Sequence, residues 1–153
     1  MKKFLVLFVV MLTVAGCGRR NINAPTPTSS VFQPTPTQVL SAAEAAEAQQ
    51  VALAAEGEVL FNTLYSEVGF ACETCHFVDQ ENMKIGPGLL NIGIRAETRV
   101  EGESADEYIH NSILHPNDYI VDTFTANVMP QVYSDIFSDE EVNALVAYLM
   151  TLQ

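Results

Sequence analysis

The chain has 153 residues, 48% of them apolar, with 7 Lys and Arg against 19 Asp and Glu and a sequence pI near 4.4. That length fits one domain rather than two, and a formal net charge of −12 repels phosphate backbones, which argues against nucleic acid as a partner. The same charge keeps a small domain soluble and would steer encounter with a basic docking face.

The chain opens on Met1, Lys2 and Lys3, then an apolar run from Phe4 to Ala15, then small residues before Cys17. This is the three-part layout of a secretory signal. The run is roughly a dozen residues, whereas a helix needs about twenty to cross the hydrocarbon core of a bilayer, so a cleaved signal is expected rather than a permanent span. Val14-Ala15-Gly16-Cys17 resembles the lipobox of bacterial lipoproteins, in which cleavage leaves the cysteine as the new N-terminus carrying lipid. That resemblance implies a signal peptide over 1–16, lipidation at Cys17, and anchoring on the outer, periplasmic or extracellular, face of a bacterial cytoplasmic membrane. Several acyl chains on one residue suffice for stable anchoring, since each buried methylene adds about 0.8 kcal/mol. Loss of residues 1–16 removes two lysines and no acid, leaving five Lys and Arg against 19 Asp and Glu and a charge of −14.

Residues 17–40 form a linker. Pro25, Pro27, Pro34 and Pro36 each precede a threonine, and large apolar residues are almost absent. Such a segment leans toward polyproline II, and at about 3.1 Å per residue fifteen residues would hold a domain on the order of 45 Å from the lipid. Residues 41–153 read as one helical domain. Ser41 with Glu44, Ser104 with Glu107 and Ser138 with Glu141 each fit a capping box, which satisfies orphan N–H groups at a helix start. Leu53, Gly57, Leu60, Phe61 and Leu64 share a face of the first helix; Val142, Leu145, Val146 and Leu149 share one on the last. The middle helix, roughly 104–114, ends before Pro116. The irregular stretch from Pro116 to Phe137 is long for a compact domain and predicts something to wrap around.

Cys72-Glu73-Thr74-Cys75-His76 carries the chemistry. C-x-x-C-H is the attachment pattern for c-type haem: two thiols that each add to a vinyl group, and an adjoining imidazole held beneath the iron. A zinc site would need a fourth ligand from His110 or His115, with no second cysteine pair to help. A thioredoxin-like redox pair belongs in a βαβ context that this sequence lacks, and a plain Cys72–Cys75 disulfide would leave His76 unused.

After this motif, Gly86-Pro87-Gly88-Leu89-Leu90-Asn91 and Arg95 resemble the G-P-x-L-x-G-x-x-x-R segment of the class I monohaem cytochrome c family, departing only at Asn91. Asparagine is the residue after glycine that best tolerates positive φ. The resemblance extends to Met129-Pro130 and to Gly57, Phe61, Leu145 and Tyr148, and covers about residues 57–152. It implies an all-α, small cytochrome c fold with N- and C-terminal helices crossing over one covalently bound haem c. By the same resemblance Cys72, Cys75, His76, Pro87, Arg95 and Met129 bind the cofactor. His76 and Met129 hold the iron, the Pro87 carbonyl accepts from the His76 imidazole, and Arg95 sits near a haem propionate. Met83, Met150, His110 and His115 are the competing distal candidates.

The implied function is outer-sphere transfer of single electrons in a bacterial respiratory or photosynthetic chain, with no catalytic residue. The protein would serve as a tethered shuttle or as a subunit of a quinol-oxidising complex. Residues 117–133 are similar to monohaem lipoprotein subunits of alternative complex III and to cytochrome domains fused to terminal oxidases, so redox proteins or such a membrane complex are the expected partners. The rival reading is a haem enzyme or gas-binding protein with an open sixth coordination position.

Overall fold

The computed structural model describes residues 41–153; the expected signal peptide, Cys17 and the whole of the expected linker lie outside the described residues. Among the described residues six helices follow one another: α1 (Ala42–Asn62), α2 (Cys72–Cys75), α3 (Ile92–Ala96), α4 (Ala105–Leu114), α5 (Tyr133–Ile136) and α6 (Asp139–Met150). Among the described residues there is no strand, only an isolated bridge between Tyr65 and Phe70 that closes a turn at Gly69 (φ 79°). The fold is all-α, as expected, and none of these helices is long and apolar enough to cross a membrane.

All three capping boxes form. The carboxylates of Glu44, Glu107 and Glu141 accept from the backbone N–H of Ser41, Ser104 and Ser138 at 2.8, 2.9 and 2.8 Å. Three long helices therefore start where the serine and glutamate pairs place them. Helix α4 stops at Leu114, two residues ahead of the buried Pro116.

The frame is the crossing of α1 and α6, which share the most extensive contact between helices. Gly57 makes it possible: a Cβ there would lie 1.9 Å from the Ala144 carbonyl oxygen and 2.8 Å from Tyr148 Cβ. One turn later Phe61 packs on Tyr148 with ring centroids 5.6 Å apart. Val142, Leu145, Val146 and Leu149 are all buried, and α4 and α3 close over α6 to complete an apolar core. Among the described residues no polar or charged side chain is buried.

Two features of α1 differ from its apolar pattern. Leu64 is not on the packed face; α1 ends at Asn62, Thr63 turns into extended backbone, and Leu64 is left 69% exposed. At the other end, residues 42–52 are exposed throughout and pack on nothing. Alanine, glutamate and glutamine dominate these first turns, so helix propensity and the Ser41 cap sustain them without a partner.

Candidate functional site: an apolar cleft facing two thiols and an imidazole

Helix α2 is a single turn, and its i, i+3 spacing puts Cys72 and Cys75 on one face, both unpaired and both lining a cleft in the helical frame. The turn is fixed at its start by the Ala71 N–H donating to Thr74 Oγ1 (3.2 Å) and at its end by the His76 N–H donating to Cys72 O (3.1 Å). Burial pushes the Cys72 thiol up to about 11 and raises Cys75 as well, so both sulfurs hold their protons in this apolar setting.

His76 follows directly, and the loop after it folds back to hold the ring. Ile85 and Gly86 both donate backbone N–H to Cys75 O, at 3.2 and 2.8 Å, and Leu89 donates to Phe77 O at 2.7 Å. His76 Nδ1 lies 2.8 Å from Pro87 O. A carbonyl only accepts, so Nδ1 carries the proton and Nε2 keeps its lone pair. Burial pushes the imidazole below its ordinary value against the opposing pull of the Pro87 carbonyl, which favours the neutral, ligating form. Gly86 is required here: a Cβ would stand 2.5 Å from His76 Cε1 and 2.9 Å from each ring nitrogen.

The cleft also receives Pro87, Arg95 and Met129, so the six positions singled out within the described chain converge on one space. Asn91 adopts φ 59°, the left-handed turn for which asparagine is the best substitute for glycine. That turn directs Arg95 back onto the loop, where Nε donates to Leu90 O (3.1 Å) and Nη2 to Gly88 O (2.6 Å). Met129 is half-buried against the core. Met83 is 58% exposed, Met150 packs near Gly93, and neither lines the cleft. His110 lines a separate polar depression and His115 is exposed. Of the described histidines and methionines, only His76 and Met129 face the cleft.

Several cleft residues have no motif to announce them. Arg99, Tyr108, Ser112, Tyr119 and Tyr133 line it, as do Asn117 and Asn127. Arg99 follows Arg95 by four residues, in the turn just after α3, and that spacing is the one signal that could have found it. Burial pushes the Tyr133 phenol up to about 12, so it stays protonated beside the thiols. All 19 carboxylates lie after residue 40, where only Lys84, Arg95 and Arg99 are positive. Two of those three cations stand at the cleft wall.

The sequence model of the cytochrome c family matches residues 54–153. The chain belongs to the cytochrome c family. Among curated proteins, none matches. The match takes in Gly57 and Phe61 of α1 and spans every cleft residue named above. Family membership makes this an electron-transfer protein carrying covalently bound haem c with its iron.

The residues of this cytochrome c fit that group. The cleft is one open space that runs from the two thiols and His76 to Met129. Its walls are Phe61, Leu89, Ile92, Ile109, Leu145 and Leu149, apolar as a porphyrin plane demands. The two free thiols lie on one face, and two guanidiniums in an otherwise acidic domain suit the carboxylates at a porphyrin's polar edge.

Proposed function

We propose that this cytochrome c is a single-electron carrier of a bacterial respiratory or photosynthetic chain, with His76 and Met129 as axial ligands. Cys72 and Cys75 would hold the haem through thioether bonds. When bound, the haem supplies an iron that exchanges one electron without making or breaking a bond to substrate. The work of the chain is positioning and exclusion. The Pro87 carbonyl fixes the His76 tautomer and raises the basicity of Nε2. The neutral thioether of Met129, with the His76 imidazole, would hold the iron, raise its potential and leave no position free for substrate, and the apolar walls would keep water from it. Arg95, pinned to Gly88 O and Leu90 O, would present its remaining N–H groups to a propionate.

One observation carries this reading: Met129 is the only described methionine that shares the cleft with His76. The expected spectrum is that of a low-spin haem with a methionine-to-iron charge-transfer band that vanishes in Met129→Ala. Fast binding of carbon monoxide by the reduced wild-type protein, without loss of Met129 from the iron, would instead establish the open-site reading.

The lipid on Cys17 and the Pro-rich segment 17–40 would tether the domain 41–153 outside the cytoplasmic membrane, after removal of residues 1–16. There it acts as a shuttle or as a subunit of a quinol-oxidising complex such as alternative complex III. Stable co-purification with large membrane subunits from the native host selects the subunit; recovery alone, in the membrane fraction, selects the shuttle.

A further inference from the structure

Residues 115–132 join α4 to α5 without a helix and carry Met129 near their end. The backbone bonds within this stretch are local: Asp118 donates to His115 O at 2.9 Å and Phe124 to Val121 O at 3.0 Å. Two bonds bridge the loop at its neck, and both end on one side chain. Asn117 Nδ2 donates to Asn127 Oδ1 at 2.8 Å, and the Asn127 backbone N–H donates to Asn117 Oδ1 at 2.8 Å. Asn127 makes this closure in the left-handed region (φ 64°), two residues before Met129. Between the two, Thr123 is held at φ 77°, a conformation that β-branched residues disfavour, so the loop needs an external tie to keep its shape. Both asparagines line the cleft.

We propose that Asn117 and Asn127 form a latch that positions Met129 at the haem, and that opening of this amide pair limits replacement of the thioether by another ligand. The proposal rests on Met129 being the distal ligand. The exchange is a simple ligand substitution: the bond from sulfur to iron breaks, a bond from the incoming nitrogen forms, and no electron is gained or lost. Asn117 and Asn127 are positioning residues in this scheme, since neither reaches the metal.

The test uses the haem-loaded full chain and imidazole as the incoming ligand, followed by loss of the methionine-to-iron band in the ferric state. Asn117→Ala deletes both bonds and should speed exchange about tenfold, as two hydrogen bonds of ordinary net worth imply. Asn127→Gly keeps the N–H donor and suits the positive φ, so it should speed exchange only about threefold. The double variant should match Asn117→Ala, because every bond of the latch ends on Asn117. Melting followed by helix signal should move little in all three, which separates positioning from global stability. Wild-type exchange in Asn117→Ala, or a double variant slower or faster than Asn117→Ala by the full factor of Asn127→Gly, overturns the latch. If Asn117→Ala does not fold, Asn127→Gly carries the test, since it removes the Asn117 Nδ2 to Asn127 Oδ1 bond alone; a wild-type rate there overturns the proposal equally. Amide hydrogen exchange at Asn127 reads the latch without reference to the metal. A Met129→Ala protein that retains the charge-transfer band refutes the ligand reading, whereas unchanged Asn127 protection in Asn117→Ala refutes the latch.

Discussion

Replacing Gly57 with alanine should destabilise this protein, against the direction that helix propensity dictates. Alanine exceeds glycine by about 1 kcal/mol in a helix interior, so an unconstrained site would gain from the change. At Gly57 the new Cβ would lie 1.9 Å from the Ala144 carbonyl oxygen, where ordinary contact begins at 3.4 Å, so α1 and α6 must part by about 1.5 Å. Both obstacles are backbone or Cβ atoms, and no rotamer change relieves them. A gap of 0.5–1 Å already forfeits roughly a quarter to a half of a dispersion well, and the loss falls on Phe61, Leu145 and Tyr148 together. Overpacking and lost burial of this kind cost about 2–4 kcal/mol net, or roughly 10–20 °C of melting temperature for a domain of this size. The assay is thermal unfolding of the haem-loaded protein by circular dichroism, with exposed Ala55→Gly on the same helix as the propensity control. A Gly57→Ala protein that melts at or above the wild type would refute the close crossing.

Gly86→Ala should act at the metal rather than on the frame: the added methyl collides with the His76 ring at 2.5 Å and drives the imidazole off Pro87 O. An imidazole without its Pro87 acceptor donates less strongly, so the expected result is a weakened histidine-to-iron bond and a raised reduction potential, read by resonance Raman and voltammetry, and an unchanged potential would count against the loop geometry. Deleting residues 42–50, which touch nothing in the core, should shift stability by no more than about 0.5 kcal/mol, the range of neutral surface changes. A large drop in melting temperature would mean that the overhanging turns of α1 are held by something beyond their own propensity.

The parts of this protein legible in its sequence are those governed by short-range rules. A serine three residues ahead of a glutamate fixes three helix starts because the bonds that cap a helix are local. Cys72, Cys75 and His76 announce themselves because attachment chemistry needs that spacing. Pro87, Arg95 and Met129 carried weight only through resemblance to a family, and the structure places all three at the cleft. What stayed hidden depends on loop conformation. Nothing in the spacing of Asn117 and Asn127 shows that the nine residues between them loop back so that one amide meets the other. Leu64 fails for the complementary reason. Helical periodicity extends a face as long as the letters permit, whereas the helix ends where Thr63 turns extended.

The two sides of the cleft are therefore anchored by different means, and this bears on which side yields. His76 sits at the end of a helical turn, with the loop that follows tied to it by backbone bonds from Ile85, Gly86 and Leu89 and by the Pro87 carbonyl. The three backbone bonds involve no side chain that a substitution could delete. Met129 lies in a loop whose closing bonds both converge on the side chain of Asn117, with strained backbone at Thr123 inside it. A ligand held through backbone opens only when its whole segment unfolds, while one held through a single side chain opens when that side chain lets go. The Met129 side is thus the adjustable one: with Met129 as the proposed ligand, substitutions there would change ligand exchange while the helical frame that lines the cleft stays intact.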